Sequence, residues 1–140
     1  MIDAHHHLWE YNPDDYVWMT SDMERLRRDF LLRDLRPLME ANGVVGLVTV
    51  QARQTIRETE WLLDLADEYD EIRGVVGWVS LMDEDAGETL ERFCSHPKLR
   101  GVRHVVHDEP DDDFILRAAF NRGVRLLQKL GLAYDLLIFE

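Results

Sequence analysis

The run Val44–Gln51, VVGLVTVQ, decides the fold. Its apolar and β-branched residues follow one another almost without a break, the pattern of a parallel strand covered on both faces. Four other short runs are rich in the same residue types: Met1–His5, Gly74–Leu81 (GVVGWVSL), Gly101–Val106 (GVRHVV) and Ala133–Phe139 (AYDLLIF). Several have a glycine at or just before the start, which places a turn there.

Helical patterns separate these runs. Asp34 reads as the N-cap of LRPLMEANG, with Pro37 in the first turn and Gly43 closing the helix. Thr55 and Glu58 form a capping-box pattern opening IRETEWLLDLADEYD, whose Trp61, Leu62, Leu65 and Tyr69 share a face. A weaker helix covers Gly87–Cys94, and a last one, broken near Gly123, runs from Asp113 to Leu130 and stops at Gly131. Strand starts after the first recur every ~30 residues, the length of a βαβ unit. The order β-α-β-α-β-α-β-α-β implies an α/β fold with a parallel sheet. The first connection is longer, from Leu8 to Gly43. Its stretch YNPDDYVWMTSD reads either as a loop extending over a site or as a surface excursion pinned by Tyr16 and Trp18.

At 140 residues the chain fits one domain with a real core, and its 46% apolar content is that of a globular protein. Sixteen basic residues face 28 acidic ones, a net charge of −12 that argues against nucleic acid and membrane surfaces as partners. Cys94 is the only cysteine, so no internal disulfide forms and a reducing compartment is expected. No stretch approaches the ~20 apolar residues of a membrane helix. The N-terminus lacks a secretory pattern, and the expected location is cytoplasmic.

In a parallel sheet or barrel, functional groups gather at the C-terminal ends of strands. Those ends carry His5-His6-His7, Gln51, Ser80, the stretch from His104 to His107 and the region after Phe139. On an extended segment His5 and His7 point to one side, and their nitrogens can share a divalent metal, typically zinc; His6 faces away. Two ligands need at least one more, and polar residues without metal fit the spacing equally. Arg103 and His104 have opposite parity, so one faces the sheet interior and the other the flanking helices. Arg103 suits a substrate carboxylate or carbonyl, or a structural ion pair with nearby acids. Arg103 and His104 are the candidate catalytic residues. Gln51 is a candidate substrate donor or a backbone cap, and Trp9 is a second substrate-binding candidate. The acidic run Asp111-Asp112-Asp113 reads as the charge complement of the next helix N-terminus.

Taken together, IDAHHHLW, RDFLLRDLRPLMEANGVVGLVTVQA, ETEWLLDLA, GVVGWVSL, LRGVRHVVHDEPDDDF and LGLAYDLLIFE resemble the amidohydrolase-related lactonases. These are sugar-lactone hydrolases similar to L-fucono- and L-rhamnono-lactonase, with relatives acting on pyrone dicarboxylate and muconolactones. The resemblance spans essentially the whole chain. It implies a distorted (β/α)8 TIM barrel with the His-x-His pair, here His5 and His7, at the end of strand one. It implies hydrolysis of a small-molecule lactone, in some members with a divalent metal and in others without. It also implies arginines near strand four, here Arg103, holding a substrate carboxylate or the lactone carbonyl.

Such a barrel takes about 250 residues. Residues 1–140 therefore read as its N-terminal portion, ending just after strand five. The family's later histidine at strand six and aspartate at strand eight have no positions here. The unpaired fifth strand is an association hazard. A longer product, a homo-oligomer formed through the open edge, a second chain completing the barrel, or an open sheet would each deal with it. A non-catalytic remnant acting as a binding or assembly module is the alternative reading. An unrelated receiver-like domain is disfavoured, because Ser80-Leu81 stands where a receiver carries an acid.

Overall fold

Each strand pairs with the next one in the chain. The computed structural model, which describes residues 1–138, contains β1 (Ile2–His6), β2 (Gly46–Val50), β3 (Ile72–Gly77), β4 (Leu99–Val105) and β5 (Ala133–Leu137), all parallel, in the spatial order β1-β2-β3-β4-β5. Helices α1 (Leu32–Asn42), α2 (Ile56–Glu68), α3 (Ala86–Cys94) and α4 (Ala118–Leu130) fill the four connections. This is the N-terminal part of a TIM barrel, a curled sheet with helices on its outer face. The α/β expectation holds, and every expected strand is present with its ends shifted by a few residues. Phe139, expected to end the fifth strand, lies outside the described residues.

The core lies between sheet and helices. Leu47, Ile72, Val75, Leu99 and Val102 from the strands meet Leu62, Leu90 and Phe120 from α2, α3 and α4. Each such side chain contributes about 1.5–3 kcal/mol by leaving water, so this layer holds the strands in place. On β5 the layer is thin: Leu136 is 60% exposed.

Local chemistry explains most helix boundaries and corrects several expectations. Asp34 is not the N-cap of α1. Leu31 holds that position, and the Asp34 carboxylate reaches back to accept from the Leu31 N–H at 2.9 Å. Pro37 consequently falls inside the helix, where it cannot donate to the Arg33 carbonyl. Gly43, at φ 63°, ends α1 as expected, with Val44 N–H donating to Met39 C=O at 2.9 Å. The last helix breaks at Arg117, between a 3-10 turn (Phe114–Leu116) and α4, not at Gly123. Gly123 sits within α4 because the helix crosses the chain at Leu81 so closely that a Cβ would lie 2.1 Å from the Leu81 carbonyl oxygen. The acidic run therefore precedes the 3-10 turn, and Asp111 bonds Arg117 at 2.8 Å.

The long first connection has a small core of its own. Trp9, Tyr16 and Met19 are buried together, with Tyr11, Leu26, Phe30 and Ala52 packed against them. A backbone bridge joins Trp9 to Phe30, with N–H to O distances of 2.9 Å both ways. Tyr16 is pinned as expected, whereas Trp18 is 44% exposed.

Candidate functional site

Strand alternation sends His5 and His7 to the inner face of the sheet and His6 to the helix side. The His5 and His7 rings stand edge to face with centroids 5.1 Å apart. His7 Nδ1 lies 2.9 Å from the Val50 carbonyl oxygen; as the N–H donor there, it leaves Nε2 with its lone pair free. Burial, with the charge of Arg103 adding to it, holds His7 below the usual histidine range, so its imidazole is neutral at pH 7. His6 Nε2 instead meets Thr49 Oγ1 at 3.1 Å, and burial pulls its pKa down to about 4.

Arg103 projects inward from β4 and is 7% exposed. Its Nη2 donates to the Gln51 carbonyl at 2.5 Å and its Nη1 to His5 Nε2 at 3.4 Å. Gln51, fully buried, returns a bond from Nε2 to the Arg103 carbonyl at 3.3 Å. The two residues thus brace the ends of β2 and β4 across the intervening β3. Burial lowers the Arg103 pKa, and Asp135, its register partner on β5, opposes that shift with a negative charge.

His7 and Arg103 border a cleft of about 620 Å³ at the C-terminal ends of the strands. Its lining includes His7, Trp9, Trp18, Arg53, Arg103 and Leu137. Trp9 contributes its ring to this wall while its Nε1 donates to the Arg28 carbonyl at 2.9 Å. The structure therefore brings His5, His7, Arg103, Gln51 and Trp9 to one end of the sheet.

His104 is not with them. It follows Arg103 by one position and so faces the helix layer, where its ring stacks on Phe114 with centroids 4.8 Å apart. Trp78 Nε1 donates to His104 Nδ1 at 3.2 Å, and His104 Nε2 meets Glu109 Oε1 at 2.6 Å. Strand parity thus places this expected catalytic candidate on the helix side of β4, away from the cleft.

Three groups near the cleft escaped sequence reasoning. Glu58 is fully buried in the first turn of α2, below the segment that follows β2. Its carboxylate accepts from the Ala52 and Arg53 N–H groups at 3.1 and 2.6 Å. Desolvation nonetheless raises its pKa to about 7, against the pull of those donors and of the Arg53 charge. Arg53 in turn pairs with Asp15 at 2.6 Å. The polar stretch Gln51-Ala52-Arg53-Gln54-Thr55 directly after a continuous apolar strand was the available signal.

As a metal site, His5 and His7 fit one half of a tetrahedral donor set. Neutral imidazole is the right donor type, and the Val50 carbonyl behind His7 is the kind of outer partner that orients a ligating ring. Among the described residues, no group of three or more His, Cys, Asp or Glu could hold an ion by itself. No helix among them is long and apolar enough to cross a membrane.

Comparison with known proteins identifies the family and the fold. An L-fucono-1,5-lactonase from Burkholderia multivorans is 41% identical over 140 residues, covering 99% of this chain and 47% of that protein. An L-fucono-1,5-lactonase from Burkholderia ambifaria is 35% identical, covering 98% of this chain and 47% of that protein. The crystal structure of an amidohydrolase from Burkholderia multivorans with bound Zn superposes with a TM-score of 0.94 at 41% identity, covering 99% of this chain and 49% of that one. The chain thus spans about half the length of the curated relatives it matches. Residues 2–139 match the amidohydrolase family, and on that match the chain belongs to it.

Proposed function

We propose that this chain supplies the N-terminal part of the active site of a hydrolase that opens the cyclic ester of a sugar or dicarboxylic acid lactone. The observation that carries the reading is that His7 and Arg103 line one cleft at the strand ends, with His5 in contact with both. Water adds to the lactone carbonyl, the carbonyl–ring oxygen bond breaks, and the ring oxygen leaves with a proton, giving a hydroxy acid. Arg103 donates to the carbonyl oxygen as negative charge develops on it. Its bond to Gln51 holds the guanidinium fork in place, and the Trp9 ring forms an apolar wall for the substrate. His5 and His7 would hold a divalent ion, zinc by preference, which when bound supplies Lewis-acid polarisation of the ester carbonyl or of water. The proton acceptor, a carboxylate from a later strand, and the remaining metal ligands would come from the rest of the barrel. Cytoplasmic localisation belongs to the same reading, supported by a lone cysteine, Cys94.

The test is hydrolysis of a lactone panel by a protein that completes the barrel, with metal content measured alongside. His5→Ala and His7→Ala should each abolish turnover and lower bound metal. Full activity in both variants would refute the role given to the pair. Arg103→Met should lower kcat roughly 10²–10³-fold, as removal of an oxyanion donor does.

A second reading, a non-catalytic binding or assembly module that pairs through the open β5 edge, is favoured by the two-ligand donor set alone. It predicts a folded 140-residue chain with no stoichiometric metal, no lactone turnover and a dimer in sedimentation.

A further inference from the structure

The segment between Glu10 and Arg27 forms one wall of the cleft through Asp15, Trp18 and Leu26, yet it belongs to neither sheet nor helix layer. Ala52 packs against the Trp9, Tyr16 and Met19 core, and the segment's polar link to the end of β2 runs through Arg53. The Arg53 guanidinium bonds the Asp15 carboxylate at 2.6 Å and lies over the Tyr16 ring, 5.1 Å from its centroid. Glu58 lies close by, with Oε1 3.7 Å from Nε. The same Glu58 carboxylate accepts from the Ala52 and Arg53 backbone N–H groups, so it fixes the main chain of the linking residue while its charge lies near the side chain. Arg53 is 15% exposed and Glu58 fully buried, so this pairing is far less screened than a surface ion pair. A planar five-donor fork suits a bridge between two carboxylates on different segments; an ammonium reaches only as a point charge.

We propose that Arg53 is a positioning residue for substrate binding: clamped by Glu58, it holds the 10–27 segment against the end of β2 and so sets the cleft wall that carries Asp15 and Trp18. This rests on the lactone-hydrolase reading for its kinetic consequence, but not for the clamp itself. Arg53 does not take part in bond breaking. It fixes the distance between the wall that meets the substrate ring and Arg103, which meets the reacting carbonyl.

The experiment combines limited trypsin digestion under native conditions with lactone kinetics in the protein that completes the barrel. Arg25 and Arg27, inside the segment, report its release directly. Arg53→Gln should raise cleavage at these sites by about tenfold, a local opening without global unfolding. KM should rise several-fold while kcat changes little. Arg53→Lys should restore part of both. Asp15→Asn, which leaves the Arg53–Glu58 contact intact, should produce the same change in smaller measure even if Arg53→Gln folds poorly. The Asp15→Asn, Arg53→Gln double variant should be no worse than Arg53→Gln alone. Unchanged cleavage in both single variants, or a fall in kcat at constant KM, would overturn the assignment. Absence of lactone turnover in the parent protein would count against the proposed function alone, and the cleavage rates would still decide the clamp.

Discussion

Replacing Glu58 with glutamine should change how stability depends on pH. The carboxylate is fully buried, and desolvation lifts its pKa from the usual 4.5 to about 7. The folded state therefore holds this proton more tightly than the unfolded chain does. The stabilisation is fully present below about pH 4.5 and is lost as pH rises through 7. At 1.36 kcal/mol per pH unit, the displacement is worth about 3 kcal/mol. For a chain of this size that corresponds to a melting shift of about 10 °C. Glutamine keeps an acceptor for the Ala52 and Arg53 N–H groups but cannot ionise. Urea or thermal melts at pH 5, 6, 7 and 8 are the assay. The parent protein should lose roughly 2–3 kcal/mol relative to Glu58→Gln across that range. Parallel curves for the two proteins would refute the reasoning and show that the carboxylate stays ionised in both states.

Two further substitutions probe the scaffold. Gly123→Ala gains about 1 kcal/mol of helix propensity but forces a Cβ to 2.1 Å from the Leu81 carbonyl oxygen. Overpacking of that kind costs up to about 3 kcal/mol, so the urea midpoint should fall, and an unchanged midpoint would contradict the close crossing. His104→Leu leaves the Trp78 indole N–H without its acceptor and should cost about 1–3 kcal/mol of stability. Turnover per folded molecule should fall far less than for Arg103→Met; an equal loss would return His104 to the catalytic set.

The fold was legible because burial on both faces leaves an uninterrupted apolar run, and Val44–Gln51 and Gly74–Leu81 are such runs. Period-two alternation likewise separated His5 and His7 from His6, and Arg103 from His104. Strand ends were less legible. Leu99 and Arg100 begin β4 before Gly101, since neither residue carries a break signal. Gly123 misled because a glycine inside a helix reads as an interruption, whereas here another chain segment occupies the place of its side chain. The Arg53–Glu58 clamp was hidden by ambiguity. Thr55-x-x-Glu58 describes a capping box, and the Thr55 half is present, with Oγ1 accepting from Glu58 N–H at 3.2 Å. The other half is not, because the glutamate carboxylate turns to the preceding loop. Nothing in the spacing of Arg53 and Asp15, 38 positions apart, announces their pairing. The metal question is similarly incomplete in the sequence, because a two-histidine pattern specifies a donor type and a face but not the number of ligands.

The order in which the strands pair has a consequence for how the site comes into being. Every strand docks on the one made just before it, as Ile2 does with Gly46 and Val75 with Leu99, so the sheet can grow by addition as the polypeptide emerges. The His5–Arg103 contact is different, since it spans 98 positions and skips two strands. The scaffold can therefore assemble in short steps, while the chemical groups meet only when the fourth strand has arrived. A nascent chain would carry its first histidines through the 98 positions that follow before they face the arginine that completes this part of the site.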